Sequence, residues 1–273
     1  MAANAHADAF LLLLDEGNDL YKLGRPEAAL VLYLEGLAQA QRVCGEHAMV
    51  TANFQGKAAL VYSALGNSGE ALRLYESARA TYARAGATGH DVAALLANMA
   101  MTLSKVGRHD EALTMQLDVV HMRSAGAAAA PAADPRQHAL ALQNLAETHS
   151  RMGDHACALQ CKRDALAALR SAPAPDAHAV ALALMGVGNS LAVLRQWDEA
   201  SEAYAEALEL LRRRFGDAHP IVAKAMHNAA RVLLKQGRED EASAMGRDAL
   251  GIAAAALGPD HPETEHYRTQ WDA

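Results

Sequence analysis

The 273-residue chain carries 25 Lys and Arg against 32 Asp and Glu, a net charge of −7, and 64 of its residues are alanine while aromatics make up only 4%. An Ala- and Leu-rich, aromatic-poor interior matches helix propensities and not the β-branched and aromatic preferences of sheets, so an all-α fold is expected. The charge is spread as −3 over residues 1–136 and −4 over 137–273, which leaves no net basic face and argues against a nucleic-acid partner.

From the N-terminus, residues 1–9 form a lead-in, and no Lys or Arg precedes Lys22. The apolar run Phe10–Leu14 is too short for a signal segment, and no stretch approaches the roughly 18 apolar residues that span a bilayer. The cysteines are Cys44, Cys157 and Cys161, an odd number that suits no disulfide framework. A cytoplasmic protein without membrane insertion is the expectation.

From residue 10 onward the chain repeats itself. A frame of Gly, four residues and Ala runs from Gly24 to Ala29 and returns at Gly66–Ala71, Gly107–Ala112, Gly153–Ala158 and Gly237–Ala242, with Arg195 replacing the glycine before Ala200. The alanines are separated by 42, 41, 46, 42 and 42 residues. Twelve residues before each stands a small residue: Gly17, Ala59, Ala100, Ala146, Gly188 and Ala230. Seven residues after each comes a third column of Gly36, Ala78, Val119, Ala165, Ala207 and Ala249. Periods of this length mark stacked helical hairpins. Each unit reads as a helix of about 14 residues, a turn at the glycine, and a second helix of about 15, packed closely through the small columns.

The units are 10–51, 52–92, 93–138, 139–180, 181–222 and 223–264, with 265–273 a polar tail or the start of a capping helix. The 46-residue spacing places an insertion at Ser124–Pro135, read as a surface insertion with a hinge as the alternative. Arg212-Arg213-Arg214 ends the second helix of the fifth unit, where cations complement the helix dipole. The connectors Phe215-Gly-Asp-Ala-His-Pro220 and Leu257-Gly-Pro-Asp-His-Pro262 repeat a His-Pro that would open the next helix.

Small residues on both helices, a glycine turn and the 42-residue period together resemble the tetratricopeptide repeat, and the connectors are similar to those of the longer repeats of kinesin light chains. The resemblance covers residues 10–264 and implies a right-handed α-solenoid of six helix-turn-helix units. Residues 1–9 leave no room for the coiled coil that precedes the repeats in motor light chains, so a motor subunit is not expected.

The first helices carry the candidate site. Fourteen residues before the framing alanines lie Asp15, Lys57, Asn98, Asn144, Gly186 and Asn228, and seven residues further along lie Lys22, Ala64, Lys105, Arg151, Val193 and Lys235. Seven residues is two helical turns less about 20°, so each pair shares a face. Asn98 with Lys105, Asn144 with Arg151 and Asn228 with Lys235 form matched amide and cation pairs, and the same stripe includes Asn18, Asn189, Arg231 and Glu147. By the resemblance, first helices line a concave groove that holds an extended peptide, its backbone gripped by Asn and its acidic groups met by Lys or Arg. An amide offers both donor and acceptor to a peptide unit, and cations in a sheltered groove attract carboxylates. Capping or bridging of neighbouring helices is the competing reading of the same columns.

Catalytic frames are lacking. Gly186-Val-Gly188-Asn-Ser190 lies inside a first helix and serves packing, and Cys157 and Cys161 with nearby His155 lack a four-ligand zinc frame. The expectation is a non-enzymatic module with no cofactor or metal, binding a protein or peptide segment of acidic character. The alternative is a scaffold working through self-association or its convex face, for which the recurring Tyr33, Tyr75 and Tyr204 are the candidates, packing explaining them equally well.

Overall fold

The structure, a computed structural model, describes residues 2–129 and 134–271, with side chains for 6–124 and 134–271. It comprises two compact units, Met1–Ala133 and Asp134–Ala273. The first holds α1 (Ala2–Lys22), α2 (Pro26–Cys44), α3 (Met49–Ala64), α4 (Ser68–Arg84), α5 (His90–Lys105) and α6 (His109–Ala129). The second holds α7 (Pro135–Arg151), α8 (His155–Arg170), α9 (Ala177–Val193), α10 (Trp197–Phe215), α11 (Pro220–Lys235), α12 (Glu239–Leu257) and α13 (Pro262–Trp271). No strand occurs among the described residues. Within each unit the helices pair as hairpins, and the second helix of one hairpin packs on the first helix of the next. Of the insertion between hairpins three and four, residues 130–133 lie outside the described residues.

Every position of the three small-residue columns is buried. The reason is local: partner side chains lie directly across the backbone there. A Cβ on Gly17 would stand 2.5 Å from the Tyr33 ring, and one on Gly36 would stand 2.2 Å from Phe54. Small residues thus set the approach of the helices, and a few buried aromatics fill the remaining space.

The hairpin turns use the left-handed backbone that glycine adopts freely, with φ of +72° at Gly24 and +84° at Gly66. Arg195 takes the same conformation at φ +60° in the fifth hairpin, alone among the described non-glycine residues. A side chain costs about 1–2 kcal/mol there, partly offset in a glycine by the looser unfolded chain. Arg195→Gly is therefore expected to raise stability by about 0.5–1 kcal/mol, seen as a higher midpoint in urea or thermal unfolding. A lowered midpoint would show that the arginine conformation carries no strain.

The second unit caps its helices with connector side chains. Asp134 and Asp176 accept hydrogen bonds from the backbone N–H groups of Arg136 (3.0 Å) and His178 (3.1 Å). The repeated His-Pro does the same work: His219 Nδ1 accepts from Ile221 N–H and His261 Nδ1 from Glu263 N–H, each at 3.2 Å, with Pro in the first turn. Replacing His219 by Ala is expected to cost about 0.5–2 kcal/mol of unit stability, read from the denaturant midpoint, and an unchanged midpoint would deny the cap. Between second helices, Arg163 of α8 bonds Glu199 of α10 at 2.7 Å, an exposed pair of small worth.

Where a polar tail or capping helix was expected from residue 265, α13 begins at Pro262, 42 residues after Pro220, and packs on α12 as a further first helix. Trp271 closes it, 7% exposed, its ring across Gly246 of α12 and its indole N–H donating to His227 Nδ1 of α11 at 2.9 Å.

Candidate peptide groove

Each unit opens a cleft lined by the polar stripe of its first helices. In the second unit a cavity of about 430 Å³ lies among α9, α10, α11 and α13. It gathers Asn189 and Val193 from α9 with Asn228, Arg231 and Lys235 from α11, so four of the sequence-derived site residues share one space. Trp197 and Tyr204 of α10 and Gln270 of α13 complete it, beside an apolar wall of Ala192, Val232 and Leu234.

Tyr204 is buried, and its hydroxyl donates to Asn189 Oδ1 at 2.5 Å. Burial raises the phenol's pKa well above its ordinary value, opposed by the charge of nearby Arg231, so the proton stays on oxygen and the donor role is fixed. With its carbonyl engaged by Tyr204, Asn189 keeps its NH2 group as a donor that a peptide carbonyl could accept from. Arg231 and Lys235 lie four residues apart on α11, both exposed, and neither forms an ion pair among the described residues. Two cations without ion-pair partners among the described residues and two amides therefore line one partly apolar cleft.

The first unit repeats the arrangement with different charges. Its cavity of about 280 Å³ is lined by Asp15, Asn18, Lys57, Asp91 and Asn98 together with Tyr82. Tyr33 donates to Asn18 Oδ1 at 3.0 Å, and Tyr82 donates to Asn53 Oδ1. Burial pushes the hydroxyls of Tyr33 and Tyr82 up to about 12, holding both as donors. Burial also lowers the pKa of Lys57, against the pull of Asp91. Two carboxylates, Asp15 and Asp91, line this cleft beside the one lysine, so its charge balance is the reverse of the second unit's.

The remaining sequence-derived residues stand apart from the two cavities. Lys22 pairs with Asp19 at 3.3 Å and Arg151 with Glu147 at 3.0 Å, each on its own helix. Asn144 is half-buried, and Lys105 is exposed without an ion pair among the described residues. Of the three matched pairs, only Asn228 with Lys235 lines a single cavity.

Three cleft residues escaped the sequence reading. Tyr204 was grouped with surface or packing tyrosines, yet Gly-Asn pairs foretell its role: Gly17-Asn18 precedes Tyr33 and Gly188-Asn189 precedes Tyr204 at identical spacing, the ring covering the glycine and the hydroxyl bonding the asparagine. In the second hairpin the same places hold Ala59 and Leu60, so the buried Tyr75 has no asparagine there to bond. Trp197, at the start of α10, is half-buried at the cleft. Gln270 extends the amide column, 42 residues beyond Asn228.

The profile of the tetratricopeptide repeat matches residues 8–84, 51–125 and 179–255, more than half of the chain. The chain belongs to the tetratricopeptide repeat family. Repeats of this family generally mediate protein–protein interaction and scaffolding. Solved structures similar to this tetratricopeptide repeat chain include BtubC (BKLC) of P. vanneervenii, with a TM-score of 0.70 at 17% identity over 87% of this chain and 94% of that one. Nearly identical TPR-like repeats of kinesin-light-chain type from Podosopora anserina give 0.64 at 19% identity over 74% and 93%. PilF of Pseudomonas aeruginosa gives 0.64 at 17% over 97% and 99%. At these identities the likeness concerns the fold. No curated protein sequence matches the chain. Among the described residues, no helix is long and apolar enough to cross a membrane.

Proposed function

We propose that this repeat protein is a non-enzymatic binding module of the cytoplasm whose second-unit cleft holds an extended, acidic segment of a partner protein. The observation that carries the reading is the pair of cations Arg231 and Lys235, without ion-pair partners among the described residues, beside Asn189 and Asn228 in one cavity. Cations bind carboxylates by charge-assisted hydrogen bonds, while the amides satisfy the peptide backbone between them. The apolar wall and Trp197 favour a hydrophobic or aromatic side chain next to the acidic one. The alternative of self-association loses its candidate residues, because Tyr33, Tyr75 and Tyr204 are buried inside their hairpins and offer no surface to a second copy.

The test is selection of a random-peptide display library on the immobilised chain, run beside the Asn189→Ala, Asn228→Ala variant. The expected result is enrichment of Asp- and Glu-containing sequences that weakens on the variant and in high salt. Enrichment of basic or uncharged sequences, or identical selections on both proteins, would count against the proposal.

A further inference from the structure

At the turn of the fourth hairpin three residues depart together from their repeat register. His149 stands where the other hairpins place Leu20, Tyr62, Leu103, Leu191 and Leu233. Asp154, the residue before α8, takes the place of Arg25, Asn67, Arg108, Gln196 and Arg238, and Cys157 takes the place of Ala28, Glu70, Glu111, Glu199 and Glu241. In two of the other hairpins an ion pair joins these last two positions across the start of the second helix, Arg108 with Glu111 and Arg238 with Glu241. In the fourth hairpin an imidazole, a carboxylate and a thiol stand at these three positions.

The fold brings these three groups to one point. One ligand atom from each lies within 4.8 Å of the others, and His149 Nδ1 is 3.4 Å from Asp154 Oδ2. Asp154 Oδ1 accepts the Cys157 backbone N–H at 3.1 Å, which fixes the carboxylate and turns its other oxygen toward the imidazole. Metal bonds of about 2.0–2.3 Å in a tetrahedral site place ligand atoms somewhat under 4 Å apart, a distance that small side-chain rotations supply here. His149 is largely sheltered, whereas Cys157 and Asp154 face solvent, so water has access to a fourth position. Cys161, one turn beyond Cys157 on α8, is not in this group.

We propose that His149, Asp154 and Cys157 form a binding site for a divalent transition metal of the zinc type. A sulfur, nitrogen and oxygen set selects zinc, cobalt or iron over magnesium and calcium, which take oxygen alone. On binding, the Cys157 sulfur–metal bond forms as the thiol proton passes to solvent, and no change of oxidation state is involved. The metal joins the end of α7 to the start of α8 and so fastens the hairpin that carries Asn144 and Arg151.

Cobalt(II) is the probe, titrated into the metal-free full chain under reducing, anaerobic conditions and followed by absorbance. One equivalent is expected to produce a thiolate-to-cobalt charge-transfer band together with visible tetrahedral bands, both erased by excess zinc. Cys157→Ser is expected to abolish the charge-transfer band, and Cys161→Ser to keep it. His149→Leu, which installs the residue type of the other repeats, is expected to weaken binding by more than about tenfold with the circular dichroism melt intact. Absence of the charge-transfer band in the parent, or parental binding by both Cys157→Ser and His149→Leu, would overturn the site.

Discussion

Trp271→Ala is expected to destabilise the second unit by about 3–5 kcal/mol, the range for a buried large aromatic, and to release α13. The ring stacks across Gly246, where even a Cβ would come within 2.2 Å of it, so no side chain on α12 can fill the space it leaves. Its loss uncovers the buried Gly246 of α12. It also removes the donor to His227 Nδ1, and His227 Nε2 is already buried without a partner. Trp271→Phe keeps most of the packing and gives up one hydrogen bond, a cost nearer 1 kcal/mol. The check is limited proteolysis at α13 together with the thermal midpoint. A Trp271→Ala protein that melts and resists protease like its parent would show that α13 is not the cap of this stack.

Acid is expected to loosen the same end, by way of His227. The ring is 3% exposed, stacked on Tyr267 with centroids 4.1 Å apart, and it accepts from Trp271 at Nδ1, so the neutral form carries its proton on Nε2. Burial first, then the positive neighbours His266 and Arg231, push its pKa from 6.5 down to about 4. The other charged groups on this side are Lys224 and Glu263, which pair with each other at 3.5 Å. Because the folded value lies below the unfolded one, the unfolded chain binds a proton that the folded chain refuses. Stability from this group is full above the unfolded value and falls as pH drops from 6.5 toward 4. At about 1.4 kcal/mol per unit the whole loss is of the order of 3 kcal/mol. The measurement is the thermal midpoint at about pH 7.5 and about pH 5 for the parent and for His227→Leu, the difference between the two proteins removing the other titrating groups. The parent is expected to lose more stability than the variant, and equal losses would contradict the assignment. Since Gln270 sits on α13 and lines the cleft, the same acid step is expected to weaken peptide binding.

The helical hairpins were legible because close packing makes a recurring demand at fixed positions. A Gly or Ala under an aromatic ring, as at Gly17 below Tyr33, tolerates nothing larger, so composition and period carry the architecture. The end of the stack was harder to read, because α13 meets α12 through Trp271 and not through another small column, and only His261-Pro262 announced it. The stripe on the first helices located residues that do share a cleft, yet spacing does not say which cations are free. Glu147 sits one turn before Arg151 on the same stripe and neutralises it, whereas the matching place before Lys235 holds Arg231. The fourth-hairpin cluster was missed for a related reason. Cys157 invites comparison with Cys161 on its own helix, while its companions come from the turn and from the end of the preceding helix.

The most direct test is a calorimetric titration of one display-selected acidic peptide into the full chain and into the Arg231→Ala, Lys235→Ala variant at equal ionic strength. Each charge-assisted hydrogen bond is worth about 1.5–3 kcal/mol, so the double variant is expected to bind at least about a hundredfold more weakly, with its helical content unchanged. Equal affinity for the two proteins would contradict the binding role of the second-unit cleft.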